Sequence, residues 1–136
     1  MRKTKKVLLF AVILVVLGSF LASMFHTSFF QVKVKEIEFE TERGTLSGLL
    51  YMPKGAGEEE PRPVIVTTHG YLNTKEMQDA SAIEMSRRGY IVLAVDMYDH
   101  GDSRWKDEIK VGEQFATFWI YSQIDAANYM AGQDYT

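Results

Sequence analysis

The chain of 136 residues contains no cysteine, which excludes disulfides and thiolate metal sites but leaves the compartment open. Its first thirty residues contain no acidic side chain, only Arg2, Lys3, Lys5 and Lys6 as charges. Proline is scarce: all three fall between Pro53 and Pro63, with two glycines and three consecutive glutamates. That stretch reads as an exposed loop and suggests no site. Positive charge is also short beyond residue 30, where eighteen acidic residues outnumber eleven basic ones and give a formal charge of −7. Such a balance argues against nucleic acid, or a general anionic-lipid surface, as partner. No internal repeat occurs. What is present, 46% hydrophobic and 12% aromatic residues, is the composition of a folding chain and not of a disordered one.

Nineteen residues from Val7 to Phe25 carry no charge. As a helix they span roughly 28 Å, close to the hydrocarbon thickness of a bilayer. The basic residues of segment 1–6 are expected to stay cytoplasmic, so residues 31–136 emerge on the outer side of the cell membrane after a single pass. A cleaved signal peptide is the rival reading, with Val16-Leu17-Gly18 as a passable cleavage site, but Phe20 and Leu21 continue the apolar run. The spanning length favours an uncleaved anchor, with the lipid bilayer as the partner of residues 7–25. The cationic flank argues against a buried core helix.

Val32, Val34, Ile37, Phe39 and Thr41 alternate with charged residues, apart from one slip at Glu36 that suggests a bulge in a half-exposed strand. Glu42-Arg43-Gly44 supplies a turn, and Thr45 to Met52 completes a hairpin. Val64 to Thr68 is a β-branched run with no polar face, as in a strand buried on both sides. Asn73 and Glu76 have capping-box spacing and open a helix that Gly89 closes, with Gln78, Ala82 and Met85 along its buried stripe. Tyr90 to Val95 is a second apolar strand, ending at Asp96. A polar loop runs from Met97 to about Gly112, and Glu113 to Ala131 forms a further helix with Phe115, Trp119, Ala126 and Met130 near one face. Two apolar strands separated by a helix make a parallel βαβ unit. The expected fold class is therefore α/β, an incomplete mixed and mostly parallel sheet preceded by one transmembrane helix.

A strand ending in His69-Gly70, a helix ending in Arg88-Gly89-Tyr90, then Ile91 to Asp96 and His100-Gly101-Asp102-Ser103, resembles the α/β-hydrolase superfamily. The resemblance covers about Val32 to Thr136, the first half of that family's catalytic domain. It implies that the Tyr71 backbone N–H is one donor of an oxyanion hole, where a preorganised donor stabilises charge developing on an attacked carbonyl. Gly70 leaves room for a substrate to approach the backbone, and His69 either joins the binding loop or only shapes the turn, the latter being favoured. Asp96, His100, Gly101 and Ser103 are expected to hold their own loop. Asp, His and Ser occur together there, but near neighbours in one loop rarely converge as a triad. A metal site from Asp96, Asp99, His100 and Asp102 matches no Ca²⁺ loop. Family members usually have glycine where this chain has Asp99, a residue that tolerates the left-handed turn better than most.

The nucleophile elbow G-x-S-x-G is absent; Gly44-Thr45-Leu46-Ser47-Gly48 comes closest, with its serine one place late and in a hairpin. The family's order places the nucleophile, acid and base downstream of this span. Trp105, Phe115, Phe118, Trp119 and Tyr121 either line an acyl pocket or pack the core, and packing is the stronger prior. The resemblance thus implies a fragment of a membrane-anchored serine hydrolase, cleaving an ester, thioester or peptide bond of a small acyl or peptidyl substrate, and inactive by itself. No cofactor or metal is expected. A non-catalytic membrane-tethered interaction module on the same half-sheet is the alternative, because one fold hosts many functions. If residues 7–25 anchor the chain, it fractionates with membranes at full mass and resists carbonate extraction; release by carbonate, or an N-terminus near Ser19, defeats the anchor.

Overall fold

The computed structural model describes residues 2–136. Strand β1 (Val32–Glu40) pairs antiparallel with β2 (Gly44–Pro53) in one unbroken register, from Val32 opposite Pro53 to Glu40 opposite Thr45. The expected bulge at Glu36 is therefore absent. The alternation slips because the strand changes its buried face. Val32 packs with Tyr51, Ala82, Val92 and Ala94 on one side of the sheet. Phe39 joins Leu46, Leu50 and Met130 on the other. With a strict two-residue period, the slip leaves Glu36 on the same face as Val32 and Val34.

Strand β3 (Val64–Thr68), a 3₁₀ turn (Lys75–Gln78), helix α1 (Asp79–Arg87) and strand β4 (Ile91–Val95) follow in chain order. Strands β3 and β4 are parallel, Val64 opposite Ile91 through Thr68 opposite Val95. The sheet order is β1-β2-β4-β3, with β2 and β4 antiparallel, and a short strand β5 (Arg104–Trp105) pairs antiparallel with β2. The sheet is mixed, as expected, but not mostly parallel. The hairpin inserts β2 against β4, and only the β3–β4 pair retains the parallel sense. Strand β4 is buried along its whole length, whereas every residue of β3 is only half-buried, because β3 is the outer strand and no further strand covers its edge among the described residues. The expectation that both apolar runs are buried on both sides thus holds for β4 and fails for β3.

Helix α1 does not start from a capping box. Thr74 caps the 3₁₀ turn without a side-chain hydrogen bond, and the α-helical part begins only at Asp79. Its buried face is Ala82 and Ser86; Met85, expected there, is exposed. Gly89, at φ +97°, ends it in a Schellman turn: Gly89 N–H donates to Ser86 O and Tyr90 N–H to Met85 O. The last helix also departs from expectation. Residues Ala116–Tyr121 wind as a π-helix before helix α2 (Ser122–Ala131), and the extra residue per turn shifts the stripe. Thr117, Phe118, Ser122, Ala126 and Met130 are buried, while Phe115 is exposed and Trp119 half-buried.

Ahead of the sheet, a 25-residue helix αN (Arg2–His26) leaves Val7 to Phe25 outside the core. It is long and apolar enough to cross a membrane, and length and composition fit a signal sequence equally. Its end touches the domain through His26 Nδ1, 3.1 Å from Asp79 Oδ2. Because the outer edge of β3 presents unpaired backbone beside half-buried Val64 and Val66, residues 31–136 produced alone are expected to self-associate or aggregate. A sharp, reversible thermal transition in a monomeric sample is the result that would contradict this.

Candidate active site

The loops leaving β3 and β4 lie side by side at the same end of the sheet, because the two strands are parallel neighbours. Asp96, directly after the apolar run of β4, is fully buried. A carboxylate there must be compensated. Its Oδ1 accepts the Lys75 backbone N–H at 2.7 Å. Its Oδ2 accepts Lys75 Nζ at 2.8 Å and the Asp102 N–H at 3.0 Å. Gly101 allows the loop to wrap this closely: at φ +50°, a Cβ on it would sit 2.3 Å from Asp96 Oδ2. Ser103, also fully buried, donates its hydroxyl to Asp96 O at 2.8 Å and accepts the Ser47 N–H at 2.9 Å. Its oxygen is committed to the loop and to β2. Asp99 adopts φ +56°, the left-handed turn, and its Oδ1 accepts the Trp105 N–H at 3.0 Å.

No sequence pattern marks Lys75, which stands beside Glu76 like any exposed charge. It is 1% exposed. Its Nζ also reaches Asp102 Oδ2 at 2.7 Å and Glu36 Oε1 at 3.4 Å. Burial pulls the ammonium pKa down, but the hydrogen bonds to Asp102 and Asp96 outweigh it and leave the pKa above the ordinary lysine value. Asp102, bonded to the same ammonium, is held below the usual carboxylate range. The signal that would have found Lys75 is indirect: a carboxylate ending an apolar parallel strand requires a cation, and the segment after the neighbouring strand is the nearest supplier.

His69 is buried and works through both nitrogens. The Met97 N–H donates to Nε2 at 3.1 Å, so Nε2 is an acceptor and the proton resides on Nδ1. Nδ1 then donates to Gly70 O at 2.8 Å. The 3.8 Å approach of Nε2 to Asp96 Oδ1 is accordingly no ion pair. Gly70 O accepts a second bond, from the Asn73 N–H at 3.2 Å, which closes a turn with Leu72 at φ +60°. Two donors therefore fix one face of the Gly70–Tyr71 peptide. In a planar trans peptide the Tyr71 N–H points the opposite way, and it meets no acceptor among the described residues. Gly70 itself lacks a left-handed φ, and a Cβ on it would meet only Asn73 Nδ2 at 3.6 Å. Nothing in the fold demands glycine there.

The Tyr71 ring lies over the π-helix, 5.9 Å from Trp119 and 6.3 Å from Phe118 between centroids. His100 meets Phe118 edge-on at 4.8 Å and donates Nδ1–H to Tyr98 O at 3.0 Å. The expected aromatic set divides. Phe118 and Trp119 flank Tyr71, with Phe115 stacked on Trp119, while Trp105 and Tyr121 stack at 6.0 Å near Tyr98. Tyr98 donates to Asp125, which also pairs with Arg43 at 2.6 Å; burial first, then that bond, raises the Tyr98 pKa. Ser47 is buried within β2, away from any strand-to-helix elbow. No metal-binding group of three His, Asp or Glu occurs among the described residues.

The sequence matches no protein-family model and no curated protein. Solved structures do match. One is a hypothetical protein from Pseudomonas aeruginosa, with TM-score 0.63 and 23% identity over 78% of this chain and 32% of that one. Another is DcsB in complex with its substrate analogue, with TM-score 0.56 and 17% identity over 76% of this chain and 33% of that one. A thioesterase domain from the curacin biosynthetic pathway overlaps 55% of this chain and 24% of its own at TM-score 0.45 and 23% identity, a superposition too loose to bear on the fold. This chain spans about a third of the length of the first two. With the His69-Gly70 and His100-Ser103 loops leaving adjacent parallel strands, this chain shares the mixed α/β fold of those first two structures over 78% and 76% of its length.

Replacing Lys75 by Met is expected to cost about 3–5 kcal/mol, because Asp96 is left buried without its cation. Asp102→Asn, at an exposed position, should cost far less. Thermal unfolding of both variants checks the order; equal losses would show that Lys75 answers to Asp102 and not to Asp96.

Proposed function

We propose that this chain supplies the oxyanion-side portion of a membrane-anchored serine hydrolase, with the nucleophile and general base lying outside these 136 residues. The Tyr71 N–H is one donor of the oxyanion hole, and αN is the anchor. The observation that carries the reading is the Gly70–Tyr71 peptide: its carbonyl is held by His69 and Asn73 while its N–H meets no partner among the described residues. A donor fixed before reaction costs no reorganisation when charge forms on the substrate carbonyl. Hydrogen bonds to the carbonyl of the same peptide also polarise it and strengthen its N–H as a donor. The absence of a side chain at Gly70, unexplained by packing, supports close approach of a substrate.

The substrate class is a small acyl or peptidyl compound, cleaved at an ester, thioester or peptide bond through an acyl-enzyme. The carbonyl oxygen would rest on Tyr71 N–H, with the half-buried Trp119 ring beside it and the exposed Phe115 stacked on Trp119. His69 serves by orientation, since both its nitrogens are already engaged. Ser103 and His100 are held by their own loop and take no part as nucleophile or base.

The 136-residue chain is expected to show no esterase turnover and no labelling by a fluorophosphonate, which requires a serine activated by a neighbouring base. Supplying the polypeptide encoded downstream should create labelling at a serine beyond Thr136. In that protein Gly70→Val should lower kcat by about a hundredfold, the scale of one lost oxyanion donor. Stoichiometric labelling of this chain at Ser47 or Ser103 would refute the assignment, and turnover indifferent to Gly70→Val would remove the role given to Tyr71.

A further inference from the structure

Two buried side-chain polar atoms find no hydrogen-bond partner among the described residues, Arg62 Nε and Ser86 Oγ. Both residues line the same groove of about 360 Å³, far from the Tyr71 loop at the other end of α1, with Gln31, Lys54, Arg87 and Arg88 on its walls. Native structures rarely leave buried donors unsatisfied, and two in one groove call for a shared acceptor. The Nε–H can only donate, and the hydroxyl is free to donate. The Schellman turn occupies the Met85 and Ser86 carbonyls, so the adjoining end of α1 turns its acceptors elsewhere.

The charge agrees with the hydrogen bonding. Arg87 and Arg88 share Glu84, at 3.1 and 2.9 Å. Arg62 pairs with Glu60, and Lys54 has no carboxylate within ion-pair distance among the described residues. Four cations thus meet two carboxylates, a local positive excess on a domain that is negative overall. The groove also has a defined place. Gln31 lies at the end of the turn that leaves αN, and its carbonyl accepts the Lys54 N–H at 2.8 Å. Phe25, Phe29 and Phe30, just before Gln31 in the chain, are exposed. At the root of a spanning helix, such a groove lies at headgroup level.

We propose that this groove binds a phosphate oxyanion. Arg62 Nε and Ser86 Oγ donate to its oxygens, and Lys54, Arg87 and Arg88 supply the countercharge. The phosphate belongs to a phospholipid headgroup or to a free phosphate compound; the first source, unlike the second, rests on αN being a membrane anchor.

The test uses the 136-residue chain in maltoside micelles, which contain no phosphate. Nitrogen-15 NMR follows the Arg62 Nε–H and Ser86 amide signals as inorganic phosphate is added in one arm and phosphatidylglycerol is doped into the micelles in the other. A saturable shift of both signals is expected in at least one arm, weakened tenfold or more by Ser86→Ala and by Arg62→Gln. Ser86→Ala is the safer variant, because alanine suits a buried helical position. A response confined to the lipid arm assigns a headgroup, and one to inorganic phosphate assigns a soluble phosphate. No saturable shift in either arm, or shifts unchanged by both substitutions, overturns the site. Carbonate extraction tests the anchor separately, so its failure would leave the phosphate arm decisive.

Discussion

A single buried carboxylate, Asp96, holds the loop end of the β3–β4 pair together. It is placed there by chain order alone, as the first polar residue after five apolar ones. Three donors from two segments then converge on it: the Lys75 backbone, the Lys75 ammonium and the Asp102 backbone. An isolated charge in that position would cost several kcal/mol, so the segment after β3 and the loop after β4 cannot be separated cheaply. The neighbouring His69 adds the second tie, between Gly70 O and the Met97 N–H. Everything at this end, including the direction of the Tyr71 amide, follows from those two clamps.

The strands, the hairpin and the two loops were legible in the sequence because each has a short-range signature: β-branched runs, a turn at Glu42-Arg43-Gly44, His-Gly after a strand. What was illegible depends on neighbours distant in sequence. The slip at Glu36 looks like a bulge until β1 is seen to bury opposite faces at its two ends. Lys75 looks solvated until Asp96 is placed beside it. Met85 seemed a better core residue than Ser86, and hydrophobicity alone cannot show that the groove side of α1 carries a hydroxyl. The half-burial of β3 was likewise hidden, since an apolar run does not reveal whether its strand is central or outermost.

The candidate site was legible only in part, and for a related reason. Tyr71, Gly70 and His69 could be named from the motif, yet the work of orientation is done by backbone groups of Asn73 and Met97, which no side-chain pattern marks. Leu72 is a further case. A bulky residue in the left-handed region is strained, and nothing in a leucine codon predicts it. Its strain is held by the turn bond from Asn73 to Gly70 O, the same bond that aims the Tyr71 amide.

The π-helix has an evolutionary consequence. It amounts to one surplus residue between Phe115 and Ser122, upstream of a helix whose own packing begins at Ser122. Loss of a single codon within residues 116–121 would restore an ordinary helical turn and rotate the preceding side chains by about 100° around the axis. Ser122, Ala126 and Met130 would stay where they are, but the ring platform under Tyr71 would swing aside. The wall of the cleft can therefore be remodelled by deletion alone, on a lineage's timescale, at the cost of re-seating Thr117 and Phe118 while the rest of the helix keeps its packing.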